Sequence, residues 1–252
     1  MVQRCYDLCA MTTRIHFVSI IYFIFLLLAF VSCKKDDAAT TPDTPDTLFN
    51  KLIVVRNFGE SLPAGSEPLT DQSPVYYSLE TNAAAPVEYK RTNRWDISFS
   101  STYRSFMGGN NGADKTNFGV DGPGKGGIMI VAKNFDEVTD IPADNLFRTG
   151  SSLIGTDDSG AFGSGVGYYL YDFDGTKKGD GSFDKQHVAY VLQEGRTIIV
   201  RTAKGNYAKI KMQSIYKDML DPTTWVRNAP HPFFSFEYVL AKAGSTKFII
   251  EN

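Results

Sequence analysis

The sequence predicts an all-β protein of antiparallel sheets on three observations: apolar residues recur at period two, helical periodicity is scarce, and Gly, Pro, Asn and Asp punctuate the chain. In chain order, strands are expected at Leu52 to Arg56, at Val75 to Leu79, and at Trp95 to Phe99, where Trp95, Ile97 and Phe99 alternate with Asp96 and Ser98. Ile128 to Ala132, Tyr168 to Phe173, Val188 to Leu192 and Thr197 to Arg201 follow. Next, Ala208, Ile210 and Met212 alternate with Lys209, Lys211 and Gln213, and Phe234, Phe236, Tyr238 and Leu240 alternate with Ser235, Glu237 and Val239. Thr246 to Ile250 completes the set. Alternation of this kind marks a half-buried strand, with one face in a core and one in water. About ten strands with almost no helix imply a sandwich or a barrel-like pair of sheets. Short helices are expected only at Asn134 to Val138 or Tyr216 to Leu220, and no internal repeat is visible.

Ahead of the strands, an apolar run from Phe17 to Val31 follows Arg14 and His16 and ends at Ser32-Cys33. This is the layout of a signal peptide over residues 1–32, and at about 15 residues the run falls short of the ~20 that a membrane-spanning helix needs. Ala29-Phe30-Val31-Ser32-Cys33 resembles a lipobox, with Phe30 where Leu is usual, and makes Cys33 the lipid-bearing first residue of the mature protein. Met11 gives a more natural start than Met1, because it places Arg14 just before the apolar run and leaves Asp7 outside. Residues 33–47 then form the lipidated cysteine and a Thr-, Pro- and Asp-rich tether, too polar to build a core, and residues 48–252 form one domain. Lys34-Lys35-Asp36-Asp37 resembles the charged signal that sends some lipoproteins to the outer face of the outer membrane.

The only cysteines are Cys5, Cys9 and Cys33, so the folded part holds no disulfide and depends on its core. Removal of residues 1–32 leaves 24 basic and 27 acidic residues with no long basic run, which excludes nucleic acid as an expected partner. Two glycine-rich stretches, Met107 to Gly127 and Thr149 to Gly167, are too long for hairpin turns. Long loops in compact domains are commonly binding loops, so function is expected there.

Four segments carry a family likeness: Trp95-Asp96-Ile97 followed by Phe99, Gly124-Lys125-Gly126-Gly127, the run from Val200 through Arg201-Thr202-Ala203-Lys204-Gly205-Asn206-Tyr207-Ala208-Lys209, and Ser245-Thr246-Lys247-Phe248. Through them the chain resembles the HmuY family of haem-binding lipoproteins, from about Val75 to Phe248. The resemblance implies an all-β fold likened to a right hand, a lipid anchor on the outer membrane, capture of haem between finger-like loops, and delivery to a TonB-dependent receptor. Taken by themselves the matching residues are structural: Trp95 is a core anchor, and Lys204-Gly205-Asn206 is a hairpin turn.

The family prototype ligates haem with two histidines between the Gly-Lys-Gly-Gly and Arg-Thr-Ala segments, and some relatives use methionine. Here that region holds one histidine, so the two-histidine site does not carry over directly. The available iron ligands are His187, Met129, Met107 and Tyr171, and Phe106, Phe118 and Phe162 are candidate apolar walls for a porphyrin. Each also has an ordinary structural reading: Met129 as core filler, His187 as a surface residue, Tyr171 as a packed strand tyrosine. His231, between Pro230 and Pro232, reads as a turn residue.

Asp172, Asp174, Asp180 and Asp184 could hold Ca²⁺, but an EF-hand would need another odd-position ligand and a terminal Glu, and solvated Asp-Gly turns explain them better. No Gly-x-Ser-x-Gly elbow and no paired-histidine zinc motif occur, so an enzyme is the least supported class. The expectation is a non-catalytic, surface-exposed lipoprotein that binds haem or a related porphyrin for uptake. The alternative is a glycan- or protein-binding module without haem, acting through exposed aromatics such as Tyr103, Phe106 and Trp225.

Overall fold

A computed structural model describes residues 45–61, 72–157 and 166–251. The signal segment, Cys33, most of the tether and Phe162 lie outside the described residues. Eleven strands occur among those described: β1 (Leu52–Gly59), β2 (Gln72–Ser78), β3 (Ala83–Ala85), β4 (Ile97–Ser101), β5 (Phe106–Gly109), β6 (Gly127–Val131), β7 (Tyr169–Asp172), β8 (Val188–Val191), β9 (Thr197–Arg201), β10 (Tyr207–Ser214) and β11 (Phe233–Ala241). They pair antiparallel in a five-stranded sheet ordered β1-β11-β10-β9-β6, a four-stranded sheet ordered β3-β2-β4-β5, and the hairpin β7-β8. The helices among the described residues are single 3₁₀ turns. One, Phe135–Glu137, falls within the expected helix at Asn134 to Val138 and starts with an Asn134/Glu137 capping box. Tyr216 to Leu220 forms no helix.

The two larger sheets meet through the aromatic rows that the alternation exposed. Phe99 of β4 stacks on Phe234 of β11 with ring centroids 3.8 Å apart, and Tyr77 of β2 meets Phe236 edge-on at 5.4 Å. Such pairs contribute roughly 0.5–1.5 kcal/mol each beyond the area they bury. The expected half-burial fails at several positions. Asp96, Ser98 and Lys209 are buried: Asp96 lies against the turn that carries Ala203, and Lys209 lies beneath a second apolar cluster of Val138, Phe147, Ile199, Ala241 and Phe248 on the outer side of the five-stranded sheet. Lys209 survives there by donating from Nζ to the carbonyls of Phe135 (2.8 Å) and Val138 (3.1 Å) while lying 4.3 Å over the Phe135 ring.

Two further expectations need correction. Thr246 to Ile250 forms no strand: Lys247 makes one bridge to Asp140, Phe248 is buried, and Ile249 and Ile250 face water. Met107 to Gly109 is not loop but β5, whose glycines admit crossing backbone, since a Cβ on Gly109 would lie 2.9 Å from the Gly127 backbone. The rest of this glycine-rich stretch is tied down by asparagines. Asn110 donates to the carbonyls of Thr92 and Trp95 (both 2.8 Å), and Asn117 donates to Gly109 (2.7 Å) and Thr149. It serves as internal scaffolding.

Two of the segments of family likeness, Trp95-Asp96-Ile97 and the Arg-Thr-Ala turn, converge on a buried pair of acids. Asp96 accepts from the backbone N–H groups of Leu79 (2.8 Å), Glu80 (3.3 Å) and Ala203 (2.9 Å), while Glu80 accepts from Thr202 (2.5 Å) and Asn206 (2.8 Å) and pairs with Lys204. Trp-Asp-Ile and the Arg-Thr-Ala turn are thus one staple joining the two sheets. Burial, with the Glu80 charge beside it, pushes Asp96 up to about 7 against the pull of its three backbone donors. A carboxyl that ionises near 4 in the unfolded chain therefore holds its proton longer when folded, so stability from this group falls as pH rises from about 4 to about 7. The thermal midpoint is expected to be higher near pH 5 than near pH 8, with a smaller difference in Asp96→Asn; parallel pH profiles for the two proteins would contradict this.

Candidate functional site

The β7-β8 hairpin, the turn after β4 and the β10-β11 connection enclose one pocket, lined by Thr102, Tyr103, Ser105, Phe106, Tyr169, Tyr171, His187, Ala189, Ile215, Tyr216 and His231. On the hairpin, Tyr171 pairs with Ala189. The long return from Asp172 to His187 is shaped by its acids: Asp172, fully buried, accepts from the backbone N–H groups of Lys177, Lys178 and Gly179, and Asp174 and Asp180 cap local turns. These carboxylates thus organise the loop. The loop delivers His187, with its ring 2.8 Å through Nδ1 from the Tyr171 hydroxyl and 4.8 Å from the Phe173 ring.

The opposite wall is a turn in which Ser101, Tyr103 and Arg104 all take positive φ (63°, 54° and 54°), and His187 does the same at 59°. Positive φ in non-glycine residues costs on the order of 1–3 kcal/mol each and persists where the surroundings impose it. Here Arg104 anchors the turn by donating to the Ser73 carbonyl (2.9 Å) and pairing with Glu60, and Ser105 ties it to Tyr169 (2.9 Å). From the third side, the Tyr216 hydroxyl accepts the Ala189 N–H (2.9 Å), and the His231 ring lies 5.5 Å from Tyr103 and 5.7 Å from Tyr216. Nδ1 of His231 lies 2.7 Å from the Ala229 carbonyl, which can only accept, so Nδ1 is the donor here, and in the neutral tautomer that this fixes the lone pair is on Nε2.

The phenols of the pocket hold their protons. Burial pushes Tyr169 up to about 12, and burial also raises Tyr171 and Tyr103. The space among these side chains is about 50 Å³, against roughly 300–1,000 Å³ for sites that enclose a cofactor-sized ligand. A few waters fit in this state. A larger ligand enters only as the walls part.

Of the residues predicted from sequence, His187, Tyr171 and Phe106 come together here. Met107 is fully buried in the main core, Met129 packs against the separate cluster on the outer side of the five-stranded sheet, and Phe118 lies against Tyr76 and Lys90. His231 is the residue that sequence reasoning missed: its prolines spoke for a turn, and no local pattern reveals that the turn lies against the β7-β8 hairpin. The exposed-aromatic reading loses two of its three residues, because Trp225 is 0% exposed with its indole N–H on the Met219 carbonyl (3.1 Å), and Phe106 is buried at 9%. Only Tyr103 keeps a partly open face.

Comparison with known proteins gives the family. The chain is similar to solved structures of a candidate lipoprotein from Bacteroides fragilis (11% identity over 75% of this chain and 89% of that one, TM-score 0.38) and of an apo HmuY analog from Tannerella forsythia (14%, 77% and 98%, 0.36). It is also similar to a candidate HmuY-like haem-binding protein from Bacteroides vulgatus (10%, 72% and 97%, 0.35). No curated protein matches it. The family model described as HmuY protein matches residues 71–227, which span both acids of the staple, the Arg-Thr-Ala turn, Tyr171 and His187. That match covers more than half of the sequence, and the chain belongs to the HmuY family.

Proposed function

We propose that this protein is a lipid-anchored, surface-exposed binding protein of the outer membrane that captures haem or a related porphyrin and hands it to a TonB-dependent receptor, without catalysing a reaction. The observation that carries the reading is the meeting of His187 and His231, distant in sequence, in one aromatic pocket, with each Nδ1 held by a hydrogen-bond partner. A ring oriented through one nitrogen presents the other to iron, as metal-binding histidines do. Tyr171 then acts as the partner that holds His187, since a phenol whose proton is held by burial makes a poor tyrosinate ligand. Cys33 supplies the anchor and residues 34–47 the tether; among the described residues no helix is long and apolar enough to cross a membrane.

A haemin titration followed by absorbance tests the reading. Ligation is expected to sharpen and shift the Soret band with saturation near one equivalent, in ferric and ferrous states alike. An unchanged haemin spectrum in both states would refute it.

A further inference from the structure

Beside the pocket, the structure holds a charged and apolar rim that the ligation reading leaves unused. Phe173 and Phe183 are 65% and 63% exposed, among the most open large apolar side chains of the described residues. Phe173 touches the His187 ring, as above. Phe183 lies under Arg227, whose guanidinium carbon is 4.5 Å from the ring centroid. Arg227 is fixed from behind, its backbone N–H donating to the Asp184 carbonyl at 2.7 Å on the same return loop that delivers His187. No carboxylate among the described residues forms an ion pair with this guanidinium. Its charge reaches into the pocket, opposing the burial that raises Tyr103 and Tyr171.

A guanidinium over an aromatic ring and without a carboxylate partner can still donate through its N–H groups, and that fork matches a carboxylate. Phe173, against His187, and Phe183, under Arg227, offer exposed apolar faces beside these two residues. A ligand suited to both features is planar, largely apolar, and carries carboxylates at one edge. We propose that Arg227 is the specificity-determining residue of this site, pairing with an edge carboxylate of the bound macrocycle while Phe173 and Phe183 cover its faces, so that the site selects carboxylate-bearing over neutral tetrapyrroles. This inference rests on the porphyrin reading of the pocket.

Haemin and its dimethyl ester, which has the same ring and iron but no free carboxylate, separate the two. Both are titrated into the wild-type protein, Arg227→Gln and Arg227→Lys. Haemin is expected to bind Arg227→Gln about tenfold more weakly than wild type, the scale of a hydrogen bond to a charged group, with the Soret maximum unchanged. Arg227→Lys is expected to recover part of the loss. The ester is expected to bind wild type and Arg227→Gln alike. Equal weakening of haemin and ester in Arg227→Gln, or no weakening of either, would overturn the role of Arg227 and leave the ligation reading standing, because the Soret shift would persist. Absence of any Soret shift in the wild-type protein would overturn both.

Discussion

Trp95→Ala is expected to cost about 3–5 kcal/mol of folding stability, the range for emptying a fully buried tryptophan site. The indole is 0% exposed, lies 4.6 Å from the Tyr76 ring and donates from Nε1 to the Lys90 carbonyl at 3.0 Å. Its removal leaves a void and an unpaired carbonyl together, and each adds to the cost. The backbone beside it is committed as well: the Trp95 carbonyl takes the Asn110 amide, and Asp96 carries the staple to Ala203. Relaxation into the void would pull on both connections, so collapse offers little relief. For a domain of this size the loss corresponds to a fall in Tm on the order of ten degrees. Trp95→Phe, which keeps most of the ring volume and loses the indole N–H, is expected to fall by much less. Denaturant unfolding of the three proteins measures the effect, and a loss below about 1 kcal/mol in Trp95→Ala would mean that the site contributes little to the core.

The strands were legible because their chemistry repeats along the chain. Phe234, Phe236 and Tyr238 alternate in sequence and share a face in space, and β9 runs from Thr197 to Arg201 as its pattern implies. Strands made of small residues carry no such signal: Ala83–Ala85 has too little apolar area to stand out, and Gly108 and Gly109 of β5 are there to admit crossing backbone. Thr246 to Ile250 misled in the opposite sense, since its β-prone run Phe248-Ile249-Ile250 has no partner strand among the described residues, where the segment makes the single bridge from Lys247 to Asp140. The candidate site was half legible for the same reason. Tyr171 and His187 flank one hairpin, so local register brings them together, whereas His231 and Tyr103 reach the pocket through contacts between distant segments. Asp96 shows the limit most plainly: alternation assigns it to water, and only the position of the Arg-Thr-Ala turn explains why it is buried.

Replacing His187 or His231 by alanine is expected to abolish the ligated haem spectrum, each alone weakening haemin by more than about 100-fold, since even losing the partner of a ligand costs about 10- to 100-fold. Two nitrogen ligands on one iron act together, so the double variant should be little worse than the weaker single one. Tyr171→Phe removes the hydroxyl 2.8 Å from Nδ1 of His187 and keeps the ring. It is expected to lower affinity by about tenfold with the spectrum retained. Met129→Ala acts on a side chain in a different cluster and is expected to change neither spectrum nor affinity. Redox behaviour discriminates further, because a thioether ligand favours ferrous iron and raises the potential, a tyrosinate favours ferric iron, and a histidine pair lies between. Comparable affinity for ferric and ferrous haem therefore accompanies the histidine pair. Circular dichroism shows whether each variant is folded, so a lost spectrum in a folded His231→Ala protein reports on ligation. If both single histidine variants kept the wild-type Soret band, iron ligation by this histidine pair would be wrong, and Met107, Met129 and Tyr171 would return as the ligands to test.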